Sequence, residues 1–139
     1  MKLEIKIEGG DQLVADFKRY GKEAKKAVKR GVDRTAMAVE TDAKLRLEGG
    51  LGGDKRIKTG NLRASVHAEL KQGEAHGQYG LGEKIDDMEA VIGTNVEYAE
   101  FIESGTRYIA PMSYLEFAAI RQDVKLRERV TEELNKLVK

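Results

Sequence analysis

Apolar residues recur at intervals of three and four from Leu13 to Leu47, and this pattern constrains the fold more than any other feature of the sequence. Leu13, Phe17, Tyr20, Ala24, Ala27/Val28, Val32, Thr35/Ala36, Val39, Ala43 and Leu47 fall on one stripe of an amphipathic helix. Asp11, just after Gly9-Gly10, is placed to cap it, because its carboxylate can accept from the free amides of the first turn. About 35 residues at about 1.5 Å each give a helix about 50 Å long, with a bend expected near Gly21. A chain of 139 residues is expected to fold as one domain with one core, too small to cover such a helix along its whole length. Part of the helix is therefore expected to project or to pack on another subunit.

Shorter periods flank the helix. Leu3, Ile5 and Ile7 alternate with Glu4 and Lys6, which predicts a strand over residues 2–8 with one face buried. Glu48-Gly49-Gly50-Leu51-Gly52-Gly53-Asp54-Lys55 breaks the helix and reads as a mobile loop over residues 49–58. Thr59-Gly60-Asn61-Leu62 is a turn or a single helical turn capped by Thr59. Ala64, Val66, Ala68 and Leu70 then alternate with Ser65, His67, Glu69 and Lys71, a second half-buried strand over residues 64–71 with His67 on its polar face. Residues 72–87 are glycine-rich and aperiodic, as expected for a long hairpin loop. Met88, Ala90 and Ile92 mark a third strand, residues 88–94, antiparallel to the second.

Val96 to Glu103 reads as a short helix with Tyr98, Phe101 and Ile102 on one face and Glu97, Glu100 and Glu103 on another. Gly105 suits the left-handed position that ends it. Pro111 blocks helix before itself, and Ser113 can cap a last helix with Leu115, Ala118/Ala119, Val124, Val130, Leu134 and Leu137 on or near one face. Its densely charged end, from Glu128 to Lys139, is expected to fray. The expectation is an α+β fold in a single domain, residues 1–139: a small antiparallel sheet packed against a long N-terminal helix and a C-terminal helix.

Several kinds of chemistry are excluded by what is missing. The sequence has no cysteine, so disulfides, thiolate metal sites and cysteine nucleophiles are ruled out, and His67 and His76 are its two imidazoles. No apolar run approaches the roughly 20 residues of a membrane helix, and residues 1–8 lack the continuous apolar segment of a signal peptide. The chain is thus expected to work in a cytoplasm, with no membrane partner. Gly53 is followed by Asp54 where a phosphate loop needs Gly-Lys and then Ser or Thr. Gly77, Gly80 and Gly82 lack the preceding strand and following helix of a dinucleotide fingerprint. His76 lies near Glu74, Asp86 and Asp87 without a fixed ligand spacing, and no EF-hand loop is present. No metal or cofactor is expected. Glu97, Glu100 and Glu103 resemble paired carboxylates, but glutamates at i, i+3 on a short helix are more often solvated or bound to backbone amides. No catalytic residue is assigned, and the chain is expected not to be an enzyme.

The net charge of +1 points to no partner, yet the charge is segregated. Lys18, Arg19, Lys22, Lys25, Lys26, Lys29, Arg30 and Arg34 crowd one part of the long helix, against Glu23 and Asp33. Glu83, Asp86, Asp87, Glu89, Glu97, Glu100 and Glu103 form an acidic stretch interrupted by Lys84. A solvated face accounts for the basic helix; the sharper alternative is a nucleic-acid-binding module on residues 18–34. No helix-turn-helix, zinc-finger or basic-zipper pattern suggests sequence-specific recognition.

The order of the central segments adds a further reading. Lys58-Thr59-Gly60-Asn61-Leu62-Arg63-Ala64-Ser65, then a strand and loop, then Val91-Ile92-Gly93-Thr94, Tyr98-Ala99 and Ile102-Glu103-Ser104-Gly105-Thr106 follow one another. This series resembles the tail-completion or head-to-tail joining (neck) family of long-tailed bacteriophages and prophages. That family carries a Thr-Gly-Asn-Leu-Arg segment, a Val-Gly-Thr strand end, Tyr-Ala, and a Glu-x-Gly-Thr turn before a C-terminal helix. The opening strand, glycine turn and long helix resemble it too, so the likeness spans most of the chain. The matching motif residues are Thr59, Gly60, Asn61, Leu62, Arg63, Ser65, Gly93, Thr94, Tyr98, Ala99, Glu103, Gly105 and Thr106. After the Gly-Thr turn the family commonly has Arg-Pro-Phe-Leu-x-Pro-Ala. This chain has Ala110-Pro111-Met112-Ser113-Tyr114-Leu115-Glu116-Phe117-Ala118, which keeps an aromatic-Leu pair and the alanine but moves or loses the prolines.

The resemblance implies a non-catalytic structural protein of virion assembly. It implies a homo-oligomeric ring at the neck or tail end, between head-connector and tail-terminator proteins, found in the virion and, during assembly, in the host bacterial cytoplasm. Nucleic acid is not expected as a specific ligand. In a ring each subunit offers one surface to a different surface of the next, so complementary charge would favour closure. Lys18, Arg19, Lys22, Lys25, Lys26, Lys29 and Arg30 on one side, and Asp86, Asp87, Glu97 and Glu100 on the other, are the candidate interface. The loops at 49–58 and 72–87 are candidate partner contacts.

Overall fold

A computed structural model describes residues 2–6, 21–53, 60–71, 81, 85 and 88–137. Among the described residues the chain forms β1 (Lys2–Lys6), α1 (Gly21–Leu47), α2 (Asn61–Ser65), β2 (His67–Glu69), β3 (Glu89–Gly93), α3 (Ala99–Ser104) and α4 (Tyr114–Asn135), the α+β arrangement expected. β3 is the central strand. It pairs antiparallel with β1, from Lys2 opposite Gly93 to Lys6 opposite Glu89, and with β2, from His67 opposite Gly93 to Glu69 opposite Val91.

From Ala24 on, the stripe read from the sequence is the buried face of α1, Ala24, Ala27, Val28, Val32, Thr35, Ala36, Val39, Ala43 and Leu47, to which the structure adds Gly31 and Asp42. Val32, Ala36, Val39, Ala43 and Leu47 join Leu62, Val66, Ala68, Ala90, Ile92, Met112, Tyr114, Leu115 and Ala118 in one core. Small residues on the stripe let α4 approach closely. At Gly31 an added Cβ would stand 2.6 Å from Val130 Cγ2 and 2.8 Å from Val130 Cα, so the two backbones nearly touch there. Pairings fix the direction: Arg46 meets Phe117, Asp42 meets Gln122, Thr35 meets Arg129 and Arg30 meets Glu133, so α1 and α4 are antiparallel. Gly21 has φ +56°, a left-handed residue at the point where the bend was expected. The Asp11 cap and the first part of the predicted helix lie outside the described residues.

Several expectations need correction. The second strand is not residues 64–71 but β2 alone, because Asn61–Ser65 are helical: the Ala64 amide donates to the Gly60 carbonyl (2.9 Å) and the Val66 amide to that of Leu62 (3.2 Å). The N-cap of α2 is Gly60, not Thr59, and it makes no side-chain cap bond; Thr59 lies outside the described residues. The strand predicted over 88–94 is the shorter β3, and that predicted over 2–8 is β1 as far as it is described, residues 7 and 8 lying outside the described residues.

His67 is buried rather than exposed. The alternation assigned faces correctly, with Ala68 in the main core, but the polar face is covered too: Leu81 and Ile85 pack with Val91 into a second small cluster. The Leu81 amide donates to Glu69 Oε1 (2.9 Å), which ties that cover to β2.

The first part of the 49–58 loop is held, not mobile. The Gly49 and Gly50 amides donate to the carbonyls of Arg46 (3.1 Å) and Leu45 (2.8 Å), the paired bonds of a Schellman ending. Arg46 donates from Nη1 to the Leu51 carbonyl (2.6 Å) and from Nε to that of Met112 (3.0 Å), and stacks on the Phe117 ring at 4.1 Å. Residues 54–58 lie outside the described residues, as does 72–87 apart from Leu81 and Ile85.

The end of α4 does not fray from Glu128: the helix runs to Asn135, and Glu133 is buried among Arg30, Arg34 and Lys136. Val124, expected inside, is 77% exposed.

Candidate functional site

The motif segments converge on two junctions. In the first, α2 delivers Ser65 and the end of β3 delivers Thr94, both buried. Ser65 Oγ lies 2.7 Å from the Leu62 carbonyl, which can only accept, so the single Ser65 hydroxyl proton goes there. The 2.5 Å contact between Ser65 Oγ and Thr94 Oγ1 must then use the Thr94 proton. Thr94 Oγ1 in turn accepts from the Val96 amide at 3.1 Å. The chain of hydroxyls is satisfied at each step and joins the Thr-Gly-Asn-Leu-Arg segment to the Val-Gly-Thr segment. Arg63 reaches back to pair with Glu48 at the end of α1.

The second junction is built on Glu103. Of the three glutamates that share a face in the sequence, it is the buried one, and its carboxylate accepts the Leu115 amide (2.9 Å) and the Glu116 amide (2.8 Å). It caps α4 from a different helix, and the reading of these glutamates as binders of backbone amides holds for it. Ser113, the expected cap, sits at the N-cap position with φ +50° and makes no cap bond. The Met112 and Ser113 amides donate to the carbonyls of Ile102 and Glu103 at 3.0 and 3.1 Å. Buried Tyr114 donates to the Ala99 carbonyl at 3.2 Å, and burial, then the nearby Glu103 and Tyr98, push its hydroxyl pKa well up.

Gly105 closes the turn with φ +75° and ψ 174°, positive as expected but outside the left-handed helical region. A Cβ there would lie 2.7 Å from Pro111 N and 2.8 Å from the Ile109 carbonyl oxygen, so both backbone and space demand glycine. Thr106 then staples the following loop: its amide donates to the Ile109 carbonyl (2.8 Å), and its Oγ1 accepts from the amides of Tyr108 and Ile109 (both 3.1 Å).

Because Ala99 and Glu103 take the inward positions of α3, Tyr98 and Phe101 of its expected apolar face are turned out, while Ile102 packs partly buried against the core. Phe101 is 56% exposed, Tyr98 is exposed beside it, and the stapled loop carries Tyr108 at 87% and Ile109. Glu97 and Glu100 are exposed on the same helical segment, and the Arg107 guanidinium lies 5.8 Å from the Tyr108 ring. Sequence reasoning missed this aromatic end. Its available signal was Tyr108 and Ile109 between Gly105 and Pro111, an apolar pair in a segment that can be neither strand nor helix.

The basic helix divides into two groups. Lys29 serves the interior: its ammonium donates to Asp33 Oδ1 (2.6 Å), the Glu89 carbonyl (2.6 Å) and the Leu70 carbonyl, tying α1 to the ends of β2 and β3. Arg30 pairs with Glu133 at 2.8 Å, and Arg34 with Glu132 (3.1 Å) and Glu133 (3.2 Å). Lys22, Lys25 and Lys26 remain exposed. Lys18, Arg19, Asp86 and Asp87 lie outside the described residues, so their pairing across an interface is not on view.

His67 and Glu69 form a buried pair. Nε2 of His67 lies 3.2 Å from Glu69 Oε1, while Nδ1 lies 2.8 Å from the Ser65 backbone carbonyl, and the Ser65 hydroxyl proton goes to Leu62. Ser, His and Glu are thus close in sequence without the nucleophile-to-base bond of a triad. His76, the other imidazole, lies outside the described residues. Among the described residues no group of three or more His, Asp or Glu side chains could hold a metal ion, and no helix is long and apolar enough to cross a membrane.

These features define a small α+β structural domain whose signature residues act as caps, staples and turn-formers. The chain belongs to the HK97-gp10-like family, described as "Bacteriophage HK97-gp10, putative tail-component", whose model matches residues 11–105. It is accordingly a bacteriophage structural protein of the tail, and its place is the virion. Comparison with curated proteins gave no match, and neither did comparison with solved structures.

Proposed function

We propose that this tail component acts at the neck, joining the head connector to the tail by protein–protein contact, as a homo-oligomeric ring and without catalysis. Tail-terminator and head-connector proteins are its neighbours in the virion, and assembly takes place in the host bacterial cytoplasm. The observation that carries this reading is the fate of the motif: Ser65, Thr94 and Glu103 are buried and bonded inside the fold, while an aromatic end is left turned outward. Aromatic side chains of this kind dominate protein contacts, because they offer large area at little cost in rotamer freedom. A nucleic-acid role for residues 18–34 is less favoured, since Lys29, Arg30 and Arg34 already have partners within the chain.

Deleting the gene in the parent phage and inspecting lysates by electron microscopy tests the proposal. Separate filled heads and tails are expected. Normal joined virions would refute it.

A further inference from the structure

Two exposed features lie at opposite ends of α1. At the C-terminal end, where Arg46 meets Met112 and Phe117, α3 and the stapled loop present Tyr98, Phe101, Tyr108 and Ile109 beside exposed Glu97 and Glu100. At the N-terminal end stand Lys22, Lys25 and Lys26, all exposed, with Lys26 paired to Glu23 at 3.5 Å on the open surface. Some 20 residues of helix lie between, about 30 Å at about 1.5 Å per residue, so one chain cannot bring its two ends together.

We infer that the two ends bind each other between copies: the lysine-bearing start of α1 in one copy docks on the acid-edged aromatic end of the next. This rests on the reading of the protein as a self-assembling component and names the surfaces involved. Charge complementarity selects the occupant. Glu97 and Glu100 favour a cationic partner, the ring faces of Tyr98 and Phe101 accept an ammonium group where Tyr108 already has Arg107 over one face, and the chain itself carries such groups at its far end. Lys29, Arg30 and Arg34 are left out because they hold the fold together. The aromatic end is preformed by Gly105 and by the three bonds at Thr106, so little order remains to be imposed on docking. Two different surfaces at opposite ends make the contact heterologous, the kind that repeats from copy to copy until a ring closes.

Charge-swapped variants of the full chain test the inference by sedimentation velocity at low and high salt. The wild type is expected to self-associate at low salt and to dissociate as salt rises. Glu97→Lys/Glu100→Lys leaves both ends basic, and Lys22→Glu/Lys26→Glu leaves both ends acidic. Each alone is expected to associate at least about tenfold more weakly, since like charges would face each other. An equimolar mixture of the two restores association, because the altered end of each variant then meets the oppositely charged altered end of the other, and their unaltered ends meet as in the wild type. A wild type that stays monomeric at millimolar concentration overturns the inference, as do variants that associate like the wild type, or a mixture of folded variants that fails to recover.

Should a charge swap disturb folding, Phe101→Ser/Tyr108→Ser decides at unchanged charge: the same weakening supports the contact and wild-type association overturns it. The outcomes separate from those of the neck proposal. Normal virions from the deletion phage would sink the neck role and leave self-association standing, whereas a monomer would sink this contact alone.

Discussion

Substituting Gly31 by alanine should destabilise the protein, although alanine is the better helix former. The intrinsic preference favours alanine in a helix interior by about 0.5–1 kcal/mol. Against it stands the contact with α4: the new Cβ would lie 2.6 Å from Val130 Cγ2, 2.8 Å from Val130 Cα and 2.9 Å from Val130 N. Carbon atoms in good contact are about 3.5–4.0 Å apart, so α4 would have to withdraw by about 0.7 Å or more. A rotamer change at Val130 cannot relieve this, because two of the three near atoms are backbone. Overpacking of this kind costs about 1–3 kcal/mol. Withdrawal would also stretch the neighbouring Arg30–Glu133 and Thr35–Arg129 contacts.

The net expectation is a loss of about 1 kcal/mol, up to about 2.5, or a fall in Tm of about 3–8 °C for a chain of this size. Urea unfolding followed by circular dichroism measures it. Val130→Ala removes the 2.6 Å contact but not the backbone ones, so Gly31→Ala should cost less, yet still something, in that background. A Gly31→Ala protein as stable as the wild type would refute the argument that the α1 and α4 backbones touch at this point.

Glu103→Ala removes the acceptor of the Leu115 and Glu116 amides and is expected to cost about 1–2 kcal/mol in the same assay, with Glu103→Gln, which keeps one acceptor, recovering part. Acid should weaken the α1–α4 seam through Glu133, whose pKa is held at about 2 against an ordinary 4.5 by the hydrogen bond from Arg30, then that from Lys136. Its cover is made of those cationic side chains rather than an apolar wall, so attraction outweighs the loss of water. A carboxylate depressed in the folded state stabilises fully above its unfolded pKa and loses that contribution as pH falls through the folded one. The contribution should therefore fade between about pH 4.5 and 2 and be absent in Glu133→Gln, as acid titration of Tm in both proteins would report.

What could be read from the sequence was what repeats locally. The α1 stripe recurs turn after turn, and the pairing of β2 with β3 followed from two alternating runs on either side of a glycine-rich loop. Features set by distant chain were not legible. Alternation separated His67 and Glu69 from Ala68, but only Leu81 and Ile85, arriving from the loop, decide that the second face is buried as well. The local cap signal at Ser113 was misleading because that residue is left-handed, and the group that caps α4 lies in another helix. In α3 and α4 more apolar residues are present than one face can hold. Phe101 and Val124 are exposed because Ala99 with Glu103, and Ala118 with Gln122, take the inward positions.

The same distinction separates what marks the family from what could mark this protein's own contacts. Ser65 and Thr94 meet across the molecule in a bond whose proton direction is fixed at both ends, and Glu103 reaches the amides of α4. Their order in the sequence is recognisable because each closes the fold against another. Residues so used are buried and out of a neighbour's reach, and altering them would damage assembly only by damaging the fold. On the proposed reading, contacts with other virion proteins fall on exposed surface, chiefly the aromatic end with its two glutamates and the exposed lysines some 30 Å away along α1. Variants at those two ends can therefore separate loss of joining from loss of folding, which variants at Ser65, Thr94 and Glu103 cannot.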